Sequence, residues 1–164
     1  MSVDEVKIYL AHFGLAGKVM VEQETTATVE EAAKALGVEN ARIAKTMAFH
    51  GKEDGSVIMV VAAGDMKIAN GPFKQQFGLK AKMLDADECA AMTGHLPGGV
   101  CPFALEGRPV DVYLDTSLQR FITVFPACGS SDSCIELTLP ELEKTSHTKG
   151  WVTVCKSKEA VPDA

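Results

Sequence analysis

A chain of 164 residues with 46% hydrophobic and 23% charged side chains has the composition of one soluble globular domain, long enough to bury a continuous core. No apolar run approaches the roughly 20 residues that span a bilayer, and Met1-Ser2-Val3-Asp4-Glu5-Val6 lacks the basic-then-apolar order of a signal peptide, so a cytoplasmic protein without a membrane partner is expected. A net charge of −6 argues against general affinity for nucleic acid, and five dispersed cysteines (Cys89, Cys101, Cys128, Cys134 and Cys155) with no Cys-x-x-Cys pair predict neither a metal site nor a disulfide framework.

Helical spacing over Val3–Phe13 is stopped by Gly14 and Gly17, and Val19–Val21 is a short strand candidate. Thr28-Val29-Glu30-Glu31 is a capping-box signature that opens a helix through Leu36, ended by Gly37. Strands are predicted at Lys45–Phe49 and Val57–Ala63 around a hairpin loop from Gly51 to Gly55. The second is apolar throughout, as a strand covered on both faces would be. Asn70–Phe77 reads as a helix, Ala81–Leu84 as extended, and Asp85–Met92 as a helix with acidic residues in its first turn. A Gly/Pro-rich loop spans Gly94–Pro102. Strands then recur at Val110–Leu114, Phe121–Phe125, Ile135–Leu139 and Trp151–Cys155, with a proline-initiated helix from Pro140. The expectation is a mixed α/β domain over residues 1–156, a mixed sheet of about six to eight strands flanked by helices, with a frayed tail at 157–164. Strand and helix do not alternate regularly, which argues against a doubly wound sheet.

Lys45 stands out against this pattern. In an extended segment it shares a face with Ile43, Met47 and Phe49. An ammonium among apolar neighbours must reach water, find an anion or shift its pKa. It is therefore either a snorkelling strand-end lysine or one placed for an anionic ligand. The charge distribution bears on the choice. Residues 42–82 hold seven basic and three acidic side chains, within a chain that is acidic overall. Such a segment is either an uneven solvated surface or a local anion-facing side.

There is no Walker motif, Rossmann fingerprint or Gly-x-Ser-x-Gly elbow. His12, His50, His95 and His147 lack metal-ligand spacing and read as surface or loop residues, His95 being notable for opening the glycine-rich loop. Within that loop, Gly98-Gly99-Val100-Cys101-Pro102 is either a tight turn or a segment that brings backbone N–H and C=O groups against a reacting ester.

Three segments occur together and in order: Arg42-Ile43-Ala44-Lys45-Thr46-Met47, Ala62-Ala63-Gly64-Asp65-Met66-Lys67, and Thr93-Gly94-His95-Leu96-Pro97-Gly98-Gly99-Val100-Cys101-Pro102-Phe103. In this the chain resembles the YbaK/prolyl-tRNA synthetase editing-domain family of aminoacyl-tRNA deacylases, over roughly residues 19–143. The resemblance implies a curved mixed sheet around a pocket and hydrolysis of the ester that joins a wrong amino acid to the 3′ end of tRNA. It places the family's lysine at Lys45 and its Gly-x-x-x-Pro loop at Gly98–Pro102. It matches a further glycine to Gly129, followed by Ser130.

On that basis Lys45 is expected to anchor the terminal phosphate or ribose oxygens, and the 98–102 backbone to position the carbonyl and a water or ribose hydroxyl. Thr46 and the turn Gly64-Asp65-Met66-Lys67 would shape the amino-acid and adenosine pockets, with Met20 and Thr26 as further wall residues. The family needs no cofactor and no cysteine nucleophile. The partner implied is mischarged tRNA, bound by its aminoacyl-adenosine end and carrying alanine or cysteine, with tRNA-Pro the preferred carrier. Prolyl-tRNA synthetase is implied as a partner only by the family's name. Two other classes stay open: a non-catalytic nucleotide or aminoacyl-adenosine binding module of the same fold, and a cysteine-based redox or metal protein.

Overall fold

The computed structural model of the chain describes residues 2–22 and 26–158. In chain order its first half contains α1 (Val3–Ala11), β1 (Met20–Val21), α2 (Val29–Leu36), β2 (Ile43–His50), β3 (Val57–Ala63), β4 (Met66–Ile68), α3 (Asn70–Phe77) and α4 (Ala86–Thr93). The second half contains β5 (Val110–Asp115), β6 (Thr123–Pro126), β7 (Ser133–Cys134), β8 (Leu137–Thr138), α5 (Leu139–Ser146), β9 (Trp151–Val152) and β10 (Cys155–Ser157).

The helices begin where the sequence supplies caps. Ser2, Thr28, Asp85 and Thr138 each accept the N3 amide while Glu5, Glu31, Glu88 and Glu141 reach back, giving reciprocal capping boxes on α1, α2, α4 and α5. Gly37, Gly78 and Gly94 end α2, α3 and α4 in left-handed geometry. α3 starts without a side-chain cap, so tertiary packing has to hold it. Phe73 supplies that packing, fully buried against Phe49 at a centroid distance of 5.0 Å.

The main sheet has the order β8-β6-β2-β3-β5-β9 and is mixed. β2–β3 and β6–β8 are antiparallel, while β2–β6, β3–β5 and β5–β9 are parallel. Every residue of the central β3 is buried. Met59, Val61 and Ala63 join the large core with Leu10 of α1 and Leu142 of α5, whereas Ile58 and Val60 face Phe73 on the other side. Two-sided cover explains the unbroken apolar run, and each buried valine contributes about 1.5–3 kcal/mol of transfer free energy.

Two short ribbons complete the fold. β1 pairs with β7, and β4 pairs with β10. Ser157 is thus a strand residue paired with Met66, and the Lys158 amide donates to Asp65 O at 2.9 Å. The start of the expected tail is in this way part of the fold, while residues 159–164 lie outside the described residues. Two predicted strands differ in form. Residues 81–84 contribute one bridge, Phe49–Met83. Of the Ile135–Leu139 segment only Leu137–Thr138 is strand, pairing with β6 as β8, while Leu139 already begins α5 and the preceding Ser133–Cys134 pairs with β1 as β7. Among the described residues no helix is long and apolar enough to cross a membrane.

Candidate functional site

Where β2 leaves the cover of α2, a cavity of about 270 Å³ opens beside the sheet. Its floor is β2, through Ala44, Thr46 and Ala48, and its sides are α2, α4, the 97–100 loop and the β6–β7 connection. The wall is largely apolar and built from small or slender residues (Val29, Ala32, Cys89, Val100, Ala127) with the Phe125 ring among them. Small side chains on the floor are what leave the space. One polar atom there lacks a partner: Thr46 Oγ1 is buried and makes no hydrogen bond among the described residues. Buried hydroxyls are ordinarily satisfied, so an unpaired one at a cavity floor is available to a ligand.

Lys45 lines the same cavity. It is a mid-sheet residue, opposite Ala62 on β3, and its Nζ donates to the carbonyl of Met66 just after the β3–β4 turn. Burial and, after it, the neighbouring Lys158 lower its pKa from the usual 10.5 to about 8, against the opposing effect of Cys155 and Asp65. Asp65 is itself committed. Arg120 grips it in a bidentate pair at 3.0 and 2.6 Å, which holds its carboxyl below the usual carboxylate range. No carboxylate among the described residues forms an ion pair with Lys45. Lys45 is thus half-buried within β2, with its ammonium on a main-chain carbonyl.

The Gly98–Pro102 loop closes another side. Gly98 has φ +91° and stands so close to Ala27 that a Cβ would lie 3.1 Å from the Ala27 methyl. At Gly99 a Cβ would meet Gly129 C and Ser130 N at 2.7 Å each, and Gly99 O accepts the Gly129 amide at 3.1 Å. The Gly-Gly pair therefore lets two backbones touch. The amides of Gly98 and Val100, both at the cavity wall, have no acceptor among the described residues. Behind the loop His95 is fully buried, and its Nε2 lies 2.9 Å from Phe103 O, spanning the loop from end to end. Because a carbonyl only accepts, Nε2 carries the proton, which leaves Nδ1 buried and unpaired. Burial also lowers the His95 pKa, keeping the ring neutral.

Of the residues singled out from sequence, Lys45, Thr46, Thr26, Gly98 and Val100 come together on the cavity wall. The others take supporting places. Gly99, Gly129 and Ser130 form the backbone contact behind the loop, with Ser130 Oγ donating to Asp132 Oδ1 and lying 2.7 Å from Ser133 Oγ. Cys101 and Pro102 are buried beyond it. Gly64 lets the β3–β4 turn approach Asn40 O, 2.2 Å from where a Cβ would stand. Asp65 and Met66 lie on the far side of Lys45, Lys67 is exposed, and Met20 packs on Ala32 and Ile43 behind the wall. His95 lies in the loop, one of the two positions expected for it, but is fully buried rather than on the surface. Arg120, Ser133, Cys89 and Lys158 were not legible as site residues, because only tertiary folding brings them near.

All five cysteines are free, four of them buried. Burial pushes the thiols of Cys101 and Cys155 up to about 12 and that of Cys134 up to about 11, and raises Cys128 as well. None of these four is a thiolate at neutral pH, which removes them as nucleophiles. No group of His, Cys, Asp or Glu among the described residues could hold a metal.

Comparison with known proteins agrees with this geometry. The chain is 49% identical over 159 residues, 97% of its length and all of the relative's, to the uncharacterized protein YwhH of Bacillus subtilis. It is 28% identical over 132 residues, 80% of the chain and 79% of the relative, to an Enterococcus faecalis protein, EbsC, provisionally named a Cys-tRNA(Pro)/Cys-tRNA(Cys) deacylase. The crystal structure of the hypothetical protein APE2540 superposes with TM-score 0.81 at 28% identity, covering 93% of this chain and 99% of the other. A structure provisionally described as a trans-editing enzyme for prolyl tRNA synthetase shares the fold at TM-score 0.83 and 24% identity, covering 94% and 97%. Residues 23–145 match the aminoacyl-tRNA editing domain. By that match, three-quarters of its length, the chain belongs to the aminoacyl-tRNA editing domain family.

Proposed function

We propose that this protein is a trans-acting deacylase that hydrolyses the ester of a small misattached amino acid, alanine or cysteine, on tRNA, with tRNA-Pro the preferred carrier. The observation that carries the reading is the composition of one cavity. Among the described residues it holds an unpaired Thr46 hydroxyl and the unpaired amides of Gly98 and Val100 within small apolar walls, and Lys45 stands at its edge with its ammonium on the Met66 carbonyl and no carboxylate partner. At about 270 Å³ it lies near the lower end of the range of small-molecule sites, about 300–1,000 Å³, a size suited to an aminoacyl-ribose end rather than a large side chain. The provisional name of the Enterococcus relative supports cysteine as one substrate.

The chemistry asks little of the protein. An aminoacyl ester is intrinsically labile, so positioning and stabilisation of the developing oxyanion suffice without a covalent intermediate. Lys45 anchors the phosphate or ribose oxygens of the terminal adenosine. The Gly98 and Val100 amides face the carbonyl oxygen, Thr46 Oγ1 hydrogen-bonds the aminoacyl group, and a water positioned beside the ribose hydroxyl attacks the carbonyl carbon, the ester C–O bond breaking to release the free amino acid and the protonated ribose oxygen of the tRNA. Selectivity comes from exclusion of larger side chains, since a pocket discriminates a single methylene by only about 1–3 kcal/mol.

Alanine, cysteine, serine and threonine on tRNA-Pro and on their cognate tRNAs, incubated with wild type and Lys45→Ala, form the test. Turnover of the alanyl or cysteinyl ester that Lys45→Ala reduces by at least about 100-fold is expected, as for loss of one preorganised charge contact. A Lys45→Ala protein of normal rate would sink the assigned role, and no turnover of any ester by wild type would favour a binding module. Prolyl-tRNA synthetase is the partner this reading implies, testable by whether the synthetase alters the rate on tRNA-Pro.

A further inference from the structure

The β4–β10 ribbon lies outside the matched editing segment on its C-terminal strand, yet it is built against Lys45. In this ribbon Lys67 and Lys156 are direct cross-strand partners, and both are exposed. Opposite residues of an antiparallel pair point to the same face with their Cβ atoms about 4.5–5.5 Å apart. Their neighbours on the other face, Ile68 and Cys155, pack against the core, so the two lysines stand side by side in solvent. Like charges in directly opposed positions destabilise a sheet. No carboxylate among the described residues pairs with either one.

Just past the end of β10, two residues beyond Lys156 and about 7 Å of extended chain away, Lys158 donates its amide to Asp65 O at 2.9 Å, and its charge acts on Lys45. The carboxylates in this region are occupied. Asp65 is held by Arg120, and Asp115 accepts from the Ser117 and Val154 amides. Four ammonium groups therefore run from the cavity wall to the outer end of the ribbon, on a protein whose net charge is −6. Folding alone gives no reason for such repulsion. A polyanion laid along the ribbon would relieve it.

We propose that the β4–β10 ribbon binds the phosphodiester backbone of the RNA strand leading to the 3′ end, with Lys67 and Lys156 as phosphate contacts outside the cavity and Lys158 linking them to Lys45. This rests on the editing reading for the identity of the RNA. The contacts are to backbone phosphates, so they add affinity and direction without reading bases. They explain how an acidic protein holds a polyanion at one edge.

Binding of fluorescein-labelled uncharged tRNA is measured by anisotropy between about 50 and 200 mM KCl, a span over which phosphate contacts show clearly. The proteins are wild type, Lys67→Gln/Lys156→Gln and the surface control Lys144→Gln on α5. Loss of two phosphate contacts should weaken binding and reduce the slope of log affinity against log salt by about 1.4–1.8, with the control unchanged. An unaltered affinity and slope in the double variant would overturn the proposal. So would a wild type that does not bind tRNA, or that binds phosphatidylserine vesicles in its place. Hydrolysis of 3′-alanyl-adenosine separates this from the editing reading: Lys156→Gln alone should retain the wild-type rate on this short ester. Ribbon-dependent tRNA binding without hydrolysis of any ester would leave the ribbon standing and remove the editing assignment. Hydrolysis with ribbon-independent binding would do the reverse.

Discussion

Lys45 carries two conflicting demands, since it must be charged to hold an anion yet sits half-buried beside another lysine. With its pKa lowered from 10.5 to about 8, chiefly by burial and then by Lys158, it is still cationic at neutral pH but loses its proton within an accessible range. The part of the deacylation rate that Lys45→Ala abolishes should therefore fall as pH rises through about 8, against the rising background of spontaneous ester hydrolysis. Lys158→Gln removes one of the lowering charges and should move that midpoint upward. An unmoved midpoint would show that the two ammonium groups do not interact. Stability runs the other way. Between about 8 and 10.5 the unfolded chain holds a proton that the folded chain has released, so the folded state gains stability as pH rises through that window. Below about 8 the charge is retained in both states, and its desolvation penalty is fully present. Chemical denaturation of wild type and Lys45→Met across this window should show the wild-type deficit shrinking with pH.

Elements were legible in the sequence where their cause is local. The capping box at Thr28–Glu31, the glycine at 37 and the two-sided apolar run 57–63 each act over a few residues, and α2 and β3 form there. β4 and β10 were not legible, because each has three residues and neither has meaning without the other across the fold. The same holds at the site. Lys45 and the glycine loop could be seen as anomalies of their own segments, whereas Arg120 and Lys158 act only through contacts made by folding. The loop is also where an element-scale prediction is sharpest. Gly99→Ala would force a Cβ to within 2.7 Å of backbone atoms of Gly129 and Ser130, neither of which can rotate away. The loop must then lift from the β6–β7 connection, at a cost of about 1–3 kcal/mol, read as a fall of about 2–4 °C in melting temperature per kcal/mol. The amides of Gly98 and Val100 would move with it. Deacylation should drop by a larger factor than stability alone predicts, at temperatures where the variant is still folded. Wild-type activity in Gly99→Ala would mean that the loop backbone does not touch the reacting ester.

At the scale of the whole molecule, the five cysteines are distributed over α4, the glycine loop, the β6–β7 connection, β7 and β10; Cys89 and Cys134 line the cavity, and among the described residues the five form no disulfide and no metal site. Cys101 and Cys128 belong to the large core and Cys155 packs on the opposite face of the sheet, so their exposure reports opening of different layers. A deacylase working through positioned water should be indifferent to their reactivity, whereas a thiol enzyme would be silenced by alkylation. At pH 7.5 the four thiols whose pKa burial raises are protonated in the folded state and should react slowly with a disulfide reagent, while denaturant should release five reactive thiols. The rate of their native-state reaction should follow the opening equilibrium of the layer each one occupies. Brief iodoacetamide treatment should leave deacylation intact. Inactivation in proportion to modification of Cys101 or Cys128, with the fold preserved by circular dichroism, would return a cysteine to the chemistry and displace the water-based mechanism.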